Sequence, residues 1–329
     1  MYQRCMIIVS LAICLWGCAA PAPEEIAQDP NVTPEGVRIT PDVVYGHKFG
    51  MALTFDMYQP KNQNGTGVIF INSGGWQSPI VSLHKHTTEG SRLAKPEELE
   101  TTMVTRHTGE TVTENMIGCD IEPLLSQGFT VFNVRHGSSP KFQIDEIILD
   151  LRRAVRFIRF NAHDYGIDAE KIGLWGQSAG GHLALLIGTT ANIGISEATE
   201  EFEKGPGDVA AIVAYYPPTD LRAGADTLRK QDPNSLRQLG LDVGDEKLRD
   251  SSPIHFASSD DPPTLIIHGD NDQVVSIIEG ESMFQALQEA GVESKFVIIP
   301  GGGHGFEGED ADHALTEATS WFEEHLVNM

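Results

Sequence analysis

Positive charge is scarce in this 329-residue chain: 23 Lys and Arg stand against 47 Asp and Glu, a formal net charge of −24. That balance argues against nucleic acid as a partner, because neutralising phosphates takes clustered Lys and Arg. It argues equally against electrostatic docking on anionic lipid. Cysteine is scarce too. Of four, Cys5, Cys14 and Cys18 lie at the N-terminus, which leaves Cys119 alone in the body of the protein. A disulfide framework and a cysteine-built metal cluster are therefore not expected. Fixed-period repeats and long low-complexity tracts are missing as well, so repeat and fibrous architectures fall away. Beyond the N-terminus no apolar run is long enough to span a bilayer. A chain of this length can nevertheless bury a large core without staples.

The N-terminus reads MYQRCMIIVSLAICLWGCAAPAP, with Arg4 ahead of an apolar run from Met6 to Trp16. The run is too short for a mature transmembrane helix and suits a signal peptide over residues 1–17. It closes in Leu15-Trp16-Gly17-Cys18, which resembles the lipobox of bacterial lipoproteins. The resemblance implies cleavage before Cys18 and a lipid on Cys18, the one membrane link expected. Trp16 departs from the small or β-branched residue usual there, and cleavage near Ala19-Ala20 with full secretion is the alternative. Both readings export the protein. Residues 18–36, rich in Pro, Glu and Ala, read as a flexible tether, and 37–329 as a single domain.

Within that domain VRITPDVVYGHKFGMALTFDMYQP alternates apolar and polar residues around Gly46 and Gly50, which predicts antiparallel opening strands. Near-continuous apolar runs follow at Gly67–Asn72, Phe129–Val134, Lys171–Trp175, Val209–Tyr216, Thr264–His268 and Lys295–Pro300. Unbroken β-branched runs suit strands covered on both faces, as in parallel sheets. Helical periods lie between them. The segment from Asp145 sets Ile147, Ile148, Leu151, Ala154, Val155 and Ile158 on one stripe with arginines opposite, and Ser276–Ala290 and Ala311–Val327 are also amphipathic. Alternating strands and helices predict an α/β fold with a mostly parallel, doubly wound sheet covered by helices. Two polar stretches break the alternation, 77–116 and 222–263. Their length and lack of period predict lid-like insertions over a site.

One short motif lies where such a fold does chemistry. Gly-x-Ser-x-Gly at Gly176–Gly180 is common enough by chance to mean little alone. Here it follows the strand KIGLW and precedes the helix-competent AGGHLALLIG, the strand–turn–helix setting of a nucleophile elbow. A serine hydroxyl needs a base, and the base an orienting carboxylate. Asp272, in HGDNDQVV, and His304, in PGGGHGF, both fall just after strand C-termini, at the same sheet edge as Ser178. Asp270 is the rival carboxylate. INSGGWQSP follows the first central strand, where backbone N–H groups of Gly74, Gly75 or Trp76 would join that of Ala179 in an oxyanion hole. His84, His86 and His107 lack a carboxylate pattern beside them and read as loop histidines, so no metal site is expected.

From about Val43 onward the chain resembles the α/β-hydrolase esterases of the acetyl-esterase, feruloyl-esterase and hormone-sensitive-lipase-like group. WGQSAGGHLAL, HGDNDQVV, PGGGHGF and SGGW carry the likeness, with VRFIRFNAHDYGIDAEKIGLWGQSAGG, YYPPTDL and DDPPTLIIHGD around them. In that group the acid of Gly-Asp-x-Asp-x-x-Val is the second aspartate, which implies Asp272 over Asp270. The resemblance implies an α/β-hydrolase fold, a Ser178-His304-Asp272 triad, no cofactor, and hydrolysis of carboxylic esters. Short acyl groups, acetyl or aromatic, on a small molecule or a polysaccharide are the expected substrates. The chain also departs from the pattern. Asn72-Ser73 replaces the His-Gly that opens the oxyanion loop, Val134-Arg135-His136 replaces a Tyr-Arg pair, and the insertion after Trp76 is longer than usual. Amide or peptide hydrolysis with the same triad is the alternative activity, and a binding protein on a silent hydrolase scaffold a third reading.

Overall fold

The computed structural model describes residues 31–33, 35–79, 83–87, 90–93, 100–104, 111–115, 120–195 and 198–329. The expected signal peptide 1–17, Cys18, Cys119 and His107 lie outside these residues. Among the described residues no helix is long and apolar enough to cross a membrane.

The opening strands β1 (Arg38–Lys48) and β2 (Met51–Gln59) form an antiparallel hairpin that turns at Phe49-Gly50. Central strands follow as β3 (Gly67–Ile71), β8 (Thr130–Val134), β9 (Ile172–Gln177), β10 (Ala211–Tyr215), β11 (Thr264–Gly269) and β12 (Ser294–Ile299). The sheet order is β1-β2-β8-β3-β9-β10-β11-β12, and every pairing from β8 to β12 is parallel. Strand order reverses around β3, and ligands of open parallel sheets bind at the carboxyl ends beside such a point.

Pleating sends alternate residues of each central strand to opposite faces. Ile69 and Ile71 of β3 join one core cluster and Val68 and Phe70 the other. On the first face pack α2 (Ile144–Phe160), α3 (Ala179–Thr189) and α7 (Ile277–Ala290); on the second, α1 (Glu122–Ser126) and α8 (Glu309–Phe322). Helix α2 starts at a capping box between Gln143 and Glu146 and buries the expected stripe from Ile147 to Ile158. Its arginines do more than face away. Arg156 and Arg159 are buried, and their guanidinium groups donate to the carbonyls of Gly205, Ile193, Ala169 and Asp208, tying the following loops to the helix.

One boundary and the content of two stretches differ from the sequence reading. Val32 pairs with Arg38 and Thr33 is buried, so the folded part already includes residues assigned to the tether 18–36. The 77–116 stretch, where it is described, forms two hairpins, β4 (His84–Thr87) with β5 (Gly90–Leu93) and β6 (Glu100–Val104) with β7 (Thr111–Asn115). The 222–263 stretch is not structureless. It folds as α4 (Ala225–Gln231), α5 (Ser235–Gln238), α6 (Asp245–Asp250) and a 3-10 turn at Pro253–Phe256. Leu236, Leu239, Leu241 and Leu248 anchor it in the core. Helices of one or two turns carry too few apolar residues to show a period, which is why this stretch reads as loop.

Candidate active site

Ser178 sits between β9 and α3 with φ 51° and ψ −120°. Its own N–H donates to Tyr215 O at 2.9 Å, and its carbonyl accepts from His182 N–H at 2.9 Å, so the strained turn is held from both sides. The flanking glycines are required sterically. A Cβ on Gly176 would collide with the carbonyl of Gly180, and one on Gly180 would lie 2.5 Å from Ile71 O. The result presents the Ser178 hydroxyl at the end of the sheet, over the N-terminus of α3.

His304, on the loop after β12, brings Nε2 to 2.9 Å from Ser178 Oγ. Its Nδ1 lies 2.8 Å from Asp272 Oδ2, on the loop after β11. Burial pushes the Asp272 carboxyl pKa up, but hydrogen bonds from His268, His304 and the Val275 N–H hold it well below the usual carboxylate range. The N–H groups of Val274 and Val275 both donate to Oδ1, at 2.8 and 2.9 Å. Asp270 serves elsewhere: its Oδ1 accepts the Gly301 N–H at 2.6 Å and so shapes the turn that leads to His304.

The oxyanion loop needs one correction. Gly74 and Gln77 exchange backbone hydrogen bonds of 2.9 Å in both directions, so the Gly74 N–H is committed within the turn and the expectation that it serves as donor fails. The tight turn is the reason: residues three apart close on each other, which sequence alone does not reveal. Gly75 and Trp76, both at positive φ, and Ala179 line the cleft beside Ser178. Ala179 is the first residue of α3, where a helix has N–H groups without intrahelical partners. Asn72, in place of the family's bracing histidine, is fully buried and donates its amide to Pro79 O at 3.3 Å across the loop. Ser73 O accepts the Gly180 N–H at 3.0 Å, which joins the loop directly to the elbow.

These groups open into a cleft of about 630 Å³. The 222–263 segment contributes Ala223, Gly224, Thr227 and Leu228 to its wall, and Val274 and Ile278 add partly exposed apolar side chains to the lining. Glu279 and Glu307 line it, whereas no Lys or Arg does among the described residues. Glu279 accepts the N–H groups of Thr219 and Asp220 at 2.8 and 2.7 Å, clasping the start of the 222–263 segment.

Several residues that shape the site escaped the sequence reading. Tyr216 packs its ring 4.7 Å from that of His304, centroid to centroid. His268 is fully buried, with Nε2 3.0 Å from Val275 O and 3.4 Å from Asp272 Oδ2. His182, also fully buried, lies between Trp76 and Ser251. Both histidines stand inside apolar runs, TLIIH and HLALL, and that was the only available signal: a titratable ring in a run otherwise built for burial. Glu293, Glu324 and His325 bring potential ligand atoms within 4.8 Å of one another, but none of the three lines the cleft. His84 and His86 fall on β4.

Comparison with known proteins agrees with this architecture. The BD-FAE family model matches residues 107–287, just over half of the chain. Esterase LipC of Mycobacterium tuberculosis is 31% identical over 189 residues, covering 56% of this chain and 47% of LipC. Esterase LipQ of the same organism is 29% identical over 194 residues, 56% of this chain and 45% of LipQ. The chain thus spans about half the length of these curated relatives. A truncated carbohydrate esterase from gut microbiota superposes with a TM-score of 0.67 at 23% identity, covering 90% of this chain and 99% of that one. The esterase Est2 of Thermogutta terrifontis gives 0.63 at 20% identity, covering 88% and 92%. At such identities the likeness concerns the fold, which is that of the α/β-hydrolases. Sheet order, elbow and family match converge: the chain belongs to the BD-FAE family.

Proposed function

We propose that the protein is an exported serine hydrolase that cleaves carboxylic esters with short acyl groups, acetyl or aromatic, carried on small molecules or polysaccharide. The observation that carries the reading is the continuous relay from Asp272 through His304 to Ser178, at 2.8 and 2.9 Å, opening into a cleft. Ser178 Oγ attacks the ester carbonyl while His304 Nε2 takes its proton, and Asp272 holds the imidazole in the tautomer that can accept it. The N–H of Ala179, with that of Gly75 or Trp76, holds the oxyanion of the tetrahedral intermediate. Collapse of the intermediate expels the alcohol, protonated by His304. Water, deprotonated by the same histidine, then releases the acid and restores Ser178. No cofactor enters.

The lining favours neutral esters, since Glu279 and Glu307 would repel an anionic group and no described Lys or Arg offsets them. The cleft has room for a sugar as well as an acyl group, and the like-folded carbohydrate esterase makes acetylated sugars the first polymer-borne substrates to try. Export, with lipid on Cys18, rests on the N-terminal sequence and is tested by the mass of the Cys18 peptide from native membranes.

The deciding experiment is hydrolysis of nitrophenyl esters from acetate to dodecanoate by the wild type and Ser178→Ala. Rates that peak at acetate or butyrate and vanish in the variant are expected. Turnover independent of Ser178, or none at any chain length, would refute the ester reading and turn attention to amides.

A further inference from the structure

Trp76 is a costly residue for its position. It is buried and holds φ 60°, directly after Gly75 at φ 53°. A bulky L-residue in the left-handed region carries roughly 1–2 kcal/mol of backbone strain. Something must hold it there. Its carbonyl accepts the Ser139 N–H at 3.0 Å, and its indole Nε1 donates to His182 Nδ1 at 3.2 Å. The two rings meet edge to face, 5.5 Å between centroids.

The partners of His182 settle its tautomer. An indole N–H can only donate, so Nδ1 is the acceptor and the proton sits on Nε2. Nε2 then donates to Ser251 O, 2.7 Å away at the end of α6. Burial lowers the His182 pKa to about 4, which keeps the ring neutral and Nδ1 open to the indole. His182 lies one turn beyond Ser178 on the same helix. One imidazole therefore joins the nucleophile's helix, the oxyanion loop and the 222–263 segment.

We infer that His182 is a positioning residue: through its hydrogen bond to the Trp76 indole it holds the Gly75-Trp76 backbone beside Ser178, where the loop's donor to the oxyanion is required. This rests on the ester-hydrolysis reading of the site. The role is distinct from that of Asn72, which reaches over the loop to Pro79, whereas His182 grips the loop through its largest side chain. Loss of the grip lets Trp76 relax out of its strained conformation, and the adjacent donors move with it.

Two substitutions separate the halves of the bridge. In His182→Asn the amide oxygen occupies the place of Nδ1 and keeps an acceptor for Trp76. In His182→Gln the amide reaches the place of Nε2, which keeps Ser251 and abandons the indole. Trp76→Phe removes the donor together with the pyrrole ring that carries it and keeps a single aromatic ring in the buried site. The experiment measures kcat and KM of the wild type, the three variants and the Trp76→Phe/His182→Gln double variant, on the nitrophenyl ester the wild type turns over best. Thermal melts run beside them. Displaced donors should lower kcat about tenfold to a hundredfold in Trp76→Phe and His182→Gln, with KM within about threefold. The double variant should be no slower than the slower single, and His182→Asn should keep kcat within about threefold of wild type. Wild-type kcat in Trp76→Phe, or equal losses in His182→Asn and His182→Gln, would overturn the inference. If His182→Gln fails to fold, Trp76→Phe decides alone. A wild type without turnover would instead refute the ester reading.

Discussion

The strain at Ser178 can be measured by comparing Ser178→Gly with Ser178→Ala. Each removes the hydroxyl and its hydrogen bond to His304, so that loss of about 1 kcal/mol cancels between them. What differs is the backbone. At φ 51°, ψ −120° an L-residue carries roughly 1–3 kcal/mol of strain that glycine does not. Against this, glycine has a more flexible unfolded chain, which ordinarily costs about 0.5–1 kcal/mol relative to alanine. The difference leaves Ser178→Gly more stable than Ser178→Ala by up to about 2.5 kcal/mol, the reverse of the usual order. The turn cannot relax to escape this, because Tyr215 O and the His182 N–H clamp it and Gly176 and Gly180 leave no slack between β9 and α3. Urea titration of both variants gives the sign directly from the midpoints, provided the slopes agree. Each kcal/mol corresponds to about 2–4 °C in Tm for a domain of this size. An alanine variant as stable as the glycine variant, or more so, would refute the claim that the elbow stores strain.

Two further outcomes follow from the charges. Asp272→Asn should reduce kcat by about four orders of magnitude, because an amide at Oδ2 can stabilise the wrong His304 tautomer. Asp270→Asn keeps an oxygen for the Gly301 N–H and should stay within about twofold, and equal losses in the two would reinstate Asp270 as the acid. The buried His136 and His182, both lowered by burial to about 4, should make the fold sensitive to acid. Each is neutral in the folded protein down to about pH 4 yet takes a proton near pH 6.5 when unfolded, so their stabilisation is full above 6.5 and falls as the pH drops toward 4. Asp261, raised by burial to about 6, acts in the opposite sense, its contribution fading as the pH rises through 6. Asp120 and Asp150, also raised by burial, act with Asp261, and His255, lowered by burial, acts with the other histidines. The two fully buried histidines, at about 1.4 kcal/mol per pH unit each over most of the window, outweigh these carboxylates, so urea midpoints should fall from pH 7 to 4.5. A midpoint that rises over that range would refute this.

Much of the fold was legible because its signals are local. Runs such as GVIFI and AIVAY need no knowledge of neighbours to be read as strands buried on both faces, and the strand ends then bring Ser178, Asp272 and His304 to one edge. The choice between Asp270 and Asp272 was not local. Two positions along a turn point to different partners; the residues alone left the choice open, the family resemblance implied Asp272, and the fold sets Asp272 against the imidazole. The 222–263 segment hid for another reason: its leucines find the core from helices too short to show a period.

The oxyanion loop was the least legible part, and the reason bears on how such a site tolerates change. The sequence shows a missing histidine at Asn72 and invites the question of what replaces it. The structure distributes the task over partners remote in sequence: Asn72 on Pro79, Gly180 on Ser73, His182 on Trp76. None is visible as a motif, because each is half of a pair whose other half lies on another element. The braces are not equal: the one on Trp76 holds a residue at φ 60°, whereas the one from Asn72 holds no such strained residue, so its loss displaces the donors less. It then follows that the histidine of the family motif can be exchanged while Trp76 and His182 stay, and that restoring it as Asn72→His should change turnover far less than removing the Trp76 indole N–H. Comparison of Asn72→His with Trp76→Phe on one ester tests that ranking, and a larger loss in Asn72→His would show that the loop depends on its first residue after all.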